Sequence, residues 1–147
     1  MDTSPPPAGH QRIIPYLFFA DVAASLDFLV DAFGLEKRLV HKTPDGTIVH
    51  AQVGLGEAVV MMGPAQERFG FASPRTLPAL HSGIVVYVDD VDAHCRRARA
   101  AGATIERAPA DQDYGVREYT ARDREGNQWF FWTSLRGANT ETAPPAA

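Results

Sequence analysis

Few side chains in this sequence are suited to chemistry, and their spacing limits what they can do. His41 and His50 bracket a turn, so two imidazoles stand where a metal site could begin. No third donor follows at a fitting spacing, and a metal needs three or four. Glu57 and His81 stand isolated from that pair. His50 and Glu118 are candidates for a general base, a role that requires a tuned pKa and hydrogen-bond reach to the proton removed. Each also has a plain reading: His50 as a hydrogen-bonded structural histidine, and Glu118 as half of a cross-sheet pair with Arg122. In "DQDYGVR", Asp111, Tyr114 and Arg117 form a polar loop turning at Gly115. Cys95 is the only cysteine, which excludes an intrachain disulfide and a cysteine-based zinc site.

The bulk numbers narrow the class. A chain of 147 residues suits one domain with a sizeable core. Its 45% apolar and 22% charged composition is that of an ordinary globular protein. A net charge of −4 argues against a nucleic-acid partner, which would require a basic patch. No apolar run reaches the roughly 20 residues that span a bilayer, so no membrane association is expected. The start, "MDTSPPPAGHQ", lacks the pattern of a secretory signal, and a cytoplasmic location is expected. Residues 1–11 and 136–147 hold too few large apolar groups to repay ordering and read as disordered tails.

Between the tails, the pattern positions the candidates. "IIPYLFF" (13–19) reads as a strand. Asp21 caps a helix whose Leu26, Leu29, Val30 and Phe33 share one face, and Gly34 ends it. Strands at 36–42 and 47–53 flank the turn "TPDG", and "GEAVVMMG" is a further strand. The order then repeats. "SGIVVYVDD" is a strand; Asp90 or Asp92 caps a helix with Val91, Cys95 and Ala98 inward; Gly102 closes it; strands follow near 104–108, 117–122 and 127–133. Arg96, Arg97 and Arg99 read as a solvated helix surface.

Subtraction supports a duplication. "ADV" at 20–22 and "DDV" at 89–91 differ by 69, Gly34 and Gly102 by 68, and Gly56 and Gly126 by 70. The expected fold is α+β: two tandem βαβββ modules, about 12–63 and 82–135, in one domain over 12–135. They form a curved, roughly eight-stranded mixed sheet around a cleft, with helices on its outer face. The crossover at 64–81, with Pro64, Pro74 and Pro78, runs near the cleft mouth.

The segments "IIPYLFFADVAASLDFLVDAFG", "GTIVHAQVGLGEAVVMM", "YVDDVDAHCRRARAAGATI" and "DQDYGVREYTARDREGNQWFFWT" carry a family resemblance. The chain resembles the vicinal oxygen chelate superfamily, which includes glyoxalase I, extradiol dioxygenases and bleomycin-resistance binding proteins, and looks most like the bleomycin-resistance branch. Metal-using members place ligands at four symmetric points. By register these are Ile14, Met61 (or Val60), Gly83 and Phe130 here. None has a donor for a divalent metal. The resemblance with these departures implies no metal and no cofactor, a small-molecule ligand and a homodimer.

Strand parity gives the cleft face. With Phe130 inward, Gln128 and Trp132 follow, and Trp129 and Phe131 pack under the helices. An offset of 70 pairs His50 with Thr120, Ile48 with Glu118 and Gln52 with Arg122. The expected ligand-binding residues are Tyr16, Phe18, His50, Gln52, Met61 and Tyr87 with Glu118, Arg122, Gln128, Phe130 and Trp132. Aromatic walls with sparse polar groups suit a small, partly aromatic or cationic guest. Three readings stay open: a protein that sequesters such a molecule, for example an antibiotic; a metal-free isomerase or lyase using His50 or Glu118 as base; and a metal-dependent lyase or dioxygenase with displaced ligands.

Overall fold

The computed structural model describes residues 3–136. The expected C-terminal tail therefore lies outside the described residues from 137 onward, as do residues 1 and 2. The first module runs β1 (Tyr16–Phe19), α1 (Val22–Phe33), β2 (Glu36–Lys42), β3 (Ile48–Leu55) and β4 (Ala58–Pro64). The second runs β5 (Gly83–Tyr87), α2 (Val91–Ala100), β6 (Thr104–Asp111), β7 (Val116–Arg122) and β8 (Gln128–Ser134). Two short 3₁₀ turns, Glu67–Phe69 and Pro74–Thr76, lie in the crossover. The α+β class and both βαβββ modules are as expected. The first strand begins three residues later than the sequence suggests, because Pro15 has no N–H for a ladder.

Local chemistry accounts for the helices. The side chain of Asp21 accepts from Ala24 N at 3.0 Å, and that of Asp90 from Ala93 N at 3.0 Å, so each helix starts on a capping carboxylate. α1 ends at Gly34 with φ 69°, a left-handed turn that glycine adopts without strain. A second constraint acts there: a Cβ on Gly34 would lie 2.9 Å from Arg97 Nη1. Arg97 donates to Asp31 O at 3.0 Å and Val30 O at 3.1 Å, satisfying carbonyls at the end of α1. Arg97 is exposed, as the reading of a solvated helix surface expects, and it also caps the other module's helix.

The strands divide into two four-stranded sheets, ordered β1-β4-β3-β2 and β5-β8-β7-β6, each with one parallel pair (β1/β4 and β5/β8). Among the described residues no strand of one sheet pairs with a strand of the other, so the continuous eight-stranded sheet is not closed within one chain. The modules meet instead through their helix-side faces, which merge into one core. Phe33 of α1 packs against Trp129 and Phe131 of β8, with ring centroids 5.5 and 4.8 Å away. Burying these large rings is the main apolar gain of the pairing. His94 joins the modules through polar contacts: Nε2 lies 2.8 Å from Phe33 O and Nδ1 lies 2.5 Å from Tyr119 Oη. Burial pushes the His94 pKa down, against the Phe33 carbonyl that favours the charged ring. In the neutral ring Nε2–H donates to Phe33 O and Nδ1 accepts from Tyr119.

Glu125 is a further cross-module tie, and it is fully buried. Its carboxylate accepts from Ala20 N at 2.6 Å, Asp21 N at 2.8 Å, Ser25 Oγ at 3.0 Å and Ser73 Oγ at 2.6 Å. One side chain thus fastens the start of α1, the crossover and the β7–β8 hairpin. Burial alone would raise its pKa, but these donors together hold it below the ordinary value of 4.5.

Glu125→Gln places an amide among four donors and is expected to lower unfolding free energy by about 3 kcal/mol, read by urea denaturation. A carboxylate with a lowered folded pKa contributes fully above its unfolded pKa and loses that contribution as pH falls through the folded one. Wild-type stability should therefore fall more steeply than the variant's below about pH 4.5, the ordinary glutamate value. Parallel acid profiles would contradict this role.

Candidate functional site

With the helix-side faces used up in the core, the other face of each sheet turns outward. On the first module this face carries Tyr16, Phe18, His50, Gln52 and Met61. Register places Met61 between Tyr16 on β1 and Gln52 on β3. Tyr16 Oη lies 3.0 Å from His50 Nδ1, and Gln52 Nε2 lies 3.2 Å from His50 Nε2. In the tautomer that satisfies both contacts, Nδ1–H donates to Tyr16 and Nε2 accepts from Gln52. Gly63 makes this possible, since a Cβ there would lie 2.8 Å from the Tyr16 ring. His41 pairs with His50 across the β2–β3 ladder, their rings 6.0 Å apart. The crossover covers one end of this face. Phe71 stacks on Phe18 at 4.0 Å between centroids, and Phe18 on Tyr16 at 5.0 Å. A recess of about 280 Å³ lies under the crossover beside Tyr16, Phe18, Phe71 and His81.

The outward face of the second module holds a separate cluster. Glu118 is 6% exposed, and both of its oxygens accept hydrogen bonds, Oε1 from Tyr114 Oη at 3.1 Å and Oε2 from Trp132 Nε1. Tyr114 and Tyr87 each pack on Trp132 with centroids 5.7 Å away, and Tyr87 stands edge-to-face at 88°. The pKa of Tyr114 is pushed up to about 12 by burial, then by the charge and hydrogen bond of Glu118 and the charge of Asp113, against an opposing effect of Arg107. Arg117 ties the neighbouring loop down through ion pairs with Asp92 at 2.8 Å and Asp111 at 2.9 Å. Arg122 and Gln128 are on the same face but not in this cluster. Both bind Glu106, and Arg122 also donates to Gly126 O at 2.9 Å, at the hairpin end. The expected Glu118–Arg122 pair is thus replaced on both sides.

The eleven candidates therefore fall into two outward sets within one chain, with Arg122 and Gln128 apart from both. Register also corrects the pairing between modules. Gln52 opposes Met61 beside Tyr16, as Thr120 opposes Phe130 beside Val85. Gln52 is therefore equivalent to Thr120, and two residues earlier His50 is equivalent to Glu118. The offset is 68, not 70, because only Gly56 and Glu57 separate the paired Leu55 and Ala58. Asp123 to Asn127 lie between the paired Arg122 and Gln128. The error is two residues, so every facing assignment survives it.

At this point the comparisons with known proteins bear directly. The family model described as the Glyoxalase/Bleomycin resistance protein/Dioxygenase superfamily matches residues 11–131. The chain belongs to this superfamily. An uncharacterized protein of Mycobacterium tuberculosis is 32% identical over 130 residues, covering 86% of this chain and 76% of its own. Among solved structures, TioX from Micromonospora sp. ML1 is 32% identical with a TM-score of 0.68, over 85% of this chain and 99% of that one. A lactoylglutathione lyase from Agrobacterium tumefaciens is 26% identical with a TM-score of 0.60, over 88% of this chain and 96% of that one.

The metal points that the resemblance implies fall here on Ile14, Met61 (or Val60), Gly83 and Phe130. These residues do not fit an ion. The Phe130 ring lies over Gly83, where a Cβ would be 2.7 Å from the ring, so an aromatic edge fills the space between two of the four points. Among the described residues no group of three His, Cys, Asp or Glu side chains is arranged to hold a metal. No helix among them is long and apolar enough to cross a membrane.

Sequence reading named Tyr114 in the polar loop but not among the expected ligand-binding residues. Its signal was present, since "DYGVRE" sets Tyr114 four residues before Glu118 across the turn at Gly115, φ 87°. Glu125, Ser73 and His94 gave no local signal, because their partners lie far away in the chain. Thr120 presents another feature: it is 1% exposed, and its hydroxyl has no partner among the described residues. Thr120→Val removes an unsatisfied buried polar group at nearly constant volume and is expected to stabilise by about 1 kcal/mol. A thermal melt checks this, and a lower midpoint would mean that the hydroxyl is satisfied in solution.

Proposed function

We propose that this protein binds a small, partly aromatic molecule without a metal and without transforming it, as bleomycin-resistance proteins do. The observation that carries the reading is the pair of outward aromatic faces. Tyr16 and Tyr87 remain 42% and 51% exposed on sheets whose other sides are fully used. Half-exposed rings of this size mark a surface that gains by being covered. The metal points carry no donors, which supports binding over metal chemistry. The likeness to TioX, at 32% identity over nearly all of that chain, is compatible with this branch of the superfamily.

The same faces support a homodimer. A single chain leaves the Tyr16–His50 face and the Tyr87–Trp132 face apart. A second copy related by a two-fold axis sets the first face of one chain against the second face of the other, giving two equal clefts. Each cleft then has aromatic walls from both modules and the polar groups His50, Gln52 and Glu118. The location is proposed to be cytoplasmic.

One observation favours a second reading, a metal-free enzyme. The Tyr16–His50–Gln52 chain could pass a proton at His50 Nε2 once Gln52 is displaced by a substrate. Glu118 is the weaker candidate base, since both oxygens already accept.

A thermal-shift screen of chelator-treated protein against glycopeptide and polyaromatic antibiotics tests the binding reading. A ligand at 100 times its Kd is expected to add about 2.7 kcal/mol of stability, and sedimentation should give twice the monomer mass. Shifts that appear only after a divalent metal is restored would contradict it. Turnover of a bound compound that His50→Ala abolishes, with the fold intact, would favour the enzyme instead.

A further inference from the structure

The second module contains a charge that the binding reading does not explain. Glu118 is buried on a face made of aromatic rings, and no lysine or arginine forms an ion pair with it among the described residues. A carboxylate removed from water is costly unless something compensates it. Two hydrogen bonds compensate in part, from Tyr114 and Trp132. The charges that act on the adjoining Tyr114, besides Glu118, are Asp113 of the loop and Arg107 of β6, which is exposed and pairs with Thr120 across the β6–β7 ladder. They are of opposite sign, and Glu118 is the carboxylate in direct contact with the rings.

The surroundings pass the field of this carboxylate outward. The Trp132 N–H points into the carboxylate, which polarises the indole and enriches its π face. Tyr87 stands edge-on to that ring and is half exposed, so the outermost surface is aromatic and backed by negative charge. Thr120, next on the same face of β7, adds a buried hydroxyl with no partner among the described residues. The equivalent place on the first module is chemically different. His50 replaces Glu118 there, between Tyr16 and Gln52, with no carboxylate in contact. The two faces are thus not interchangeable, although the modules are.

We infer that the outward face of the second module recognises a cationic group, a protonated amine or quaternary ammonium, seated on the half-exposed Tyr87 ring, with buried Trp132 behind it and Glu118 as its buried counter-charge. This deepens the binding reading and rests on it, because the cation is one end of the bound molecule. Glu118 acts through the rings and positions Trp132, while Tyr87 touches the ligand.

A matched pair of probes tests it: choline and its uncharged isostere 3,3-dimethylbutan-1-ol, titrated into the full chain while the indole N–H resonances of Trp132 and Trp129 are followed by NMR. Choline is expected to move the Trp132 signal and to bind about tenfold more tightly than the alcohol, with Trp129 unmoved. Glu118→Gln should bring that ratio down to about two while the spectrum stays folded. Tyr87→Leu, which keeps an apolar side chain, should weaken choline and leave the alcohol unchanged. Equal affinity for the two probes would overturn the cation site and leave the aromatic-cleft reading standing. A preference that survives Glu118→Gln would overturn the role of Glu118, and no response to choline at 100 mM or below, roughly the weakest useful cation–π binding, would overturn the site outright.

Discussion

A β-sheet has two faces, and here one face of each sheet is committed to the other module. Phe33, wedged against Trp129 and Phe131, fixes that commitment. His94, Arg97 and Glu125 add polar ties that span the modules, each bonded to residues far away in the chain. Everything else about the site follows from this constraint. Once the helix sides are joined, the remaining faces must look outward, and side chains at alternate positions must line them. A cleft that needs both faces is incomplete in one copy. The proposed homodimer is the simplest closure.

The outward faces are built by small backbone permissions as much as by large side chains. Gly63 lets Tyr16 lie over β4 and reach His50, and Gly83 lets Phe130 lie over β5. Both glycines stand where a side chain would keep the rings away. In the second case the ring occupies ground that a metal centre would need. At Phe130 a single side chain both lacks a metal donor and supplies an aromatic surface. What distinguishes the two modules is then the residue at the shared position on β3 and β7, imidazole in one and carboxylate in the other.

Much of this was legible in the sequence. Capping carboxylates at Asp21 and Asp90 and the glycine at 34 act within one turn, so their signals are local. Facing was legible as well, because strand periodicity is two and the apolar positions Val49, Ala51, Val53, Tyr119 and Ala121 announce one side, of which all but the exposed Val49 are buried. Register between modules was not, since it depends on hairpin lengths that the turn glycines misreport by two residues. The Glu125 clasp was illegible for a different reason: its donors come from α1 and the crossover, 100 and 52 residues away. A carboxylate in "DREGN" looks like any solvated turn residue until the tertiary fold surrounds it. Glu118 was noticed for its type, but its role depends on Tyr114 and Trp132 closing over it.

The central claim is that the rings of Tyr16 and Tyr87 face outward from one copy and are covered together by another. Hydroxyl-radical footprinting over a range of protein concentrations tests this most directly. The account predicts that labelling of Tyr16 and Tyr87 falls in parallel as concentration rises, while buried Tyr119 stays unlabelled throughout. Labelling of Tyr16 and Tyr87 that stays constant across the range, or protection of one without the other, would contradict it.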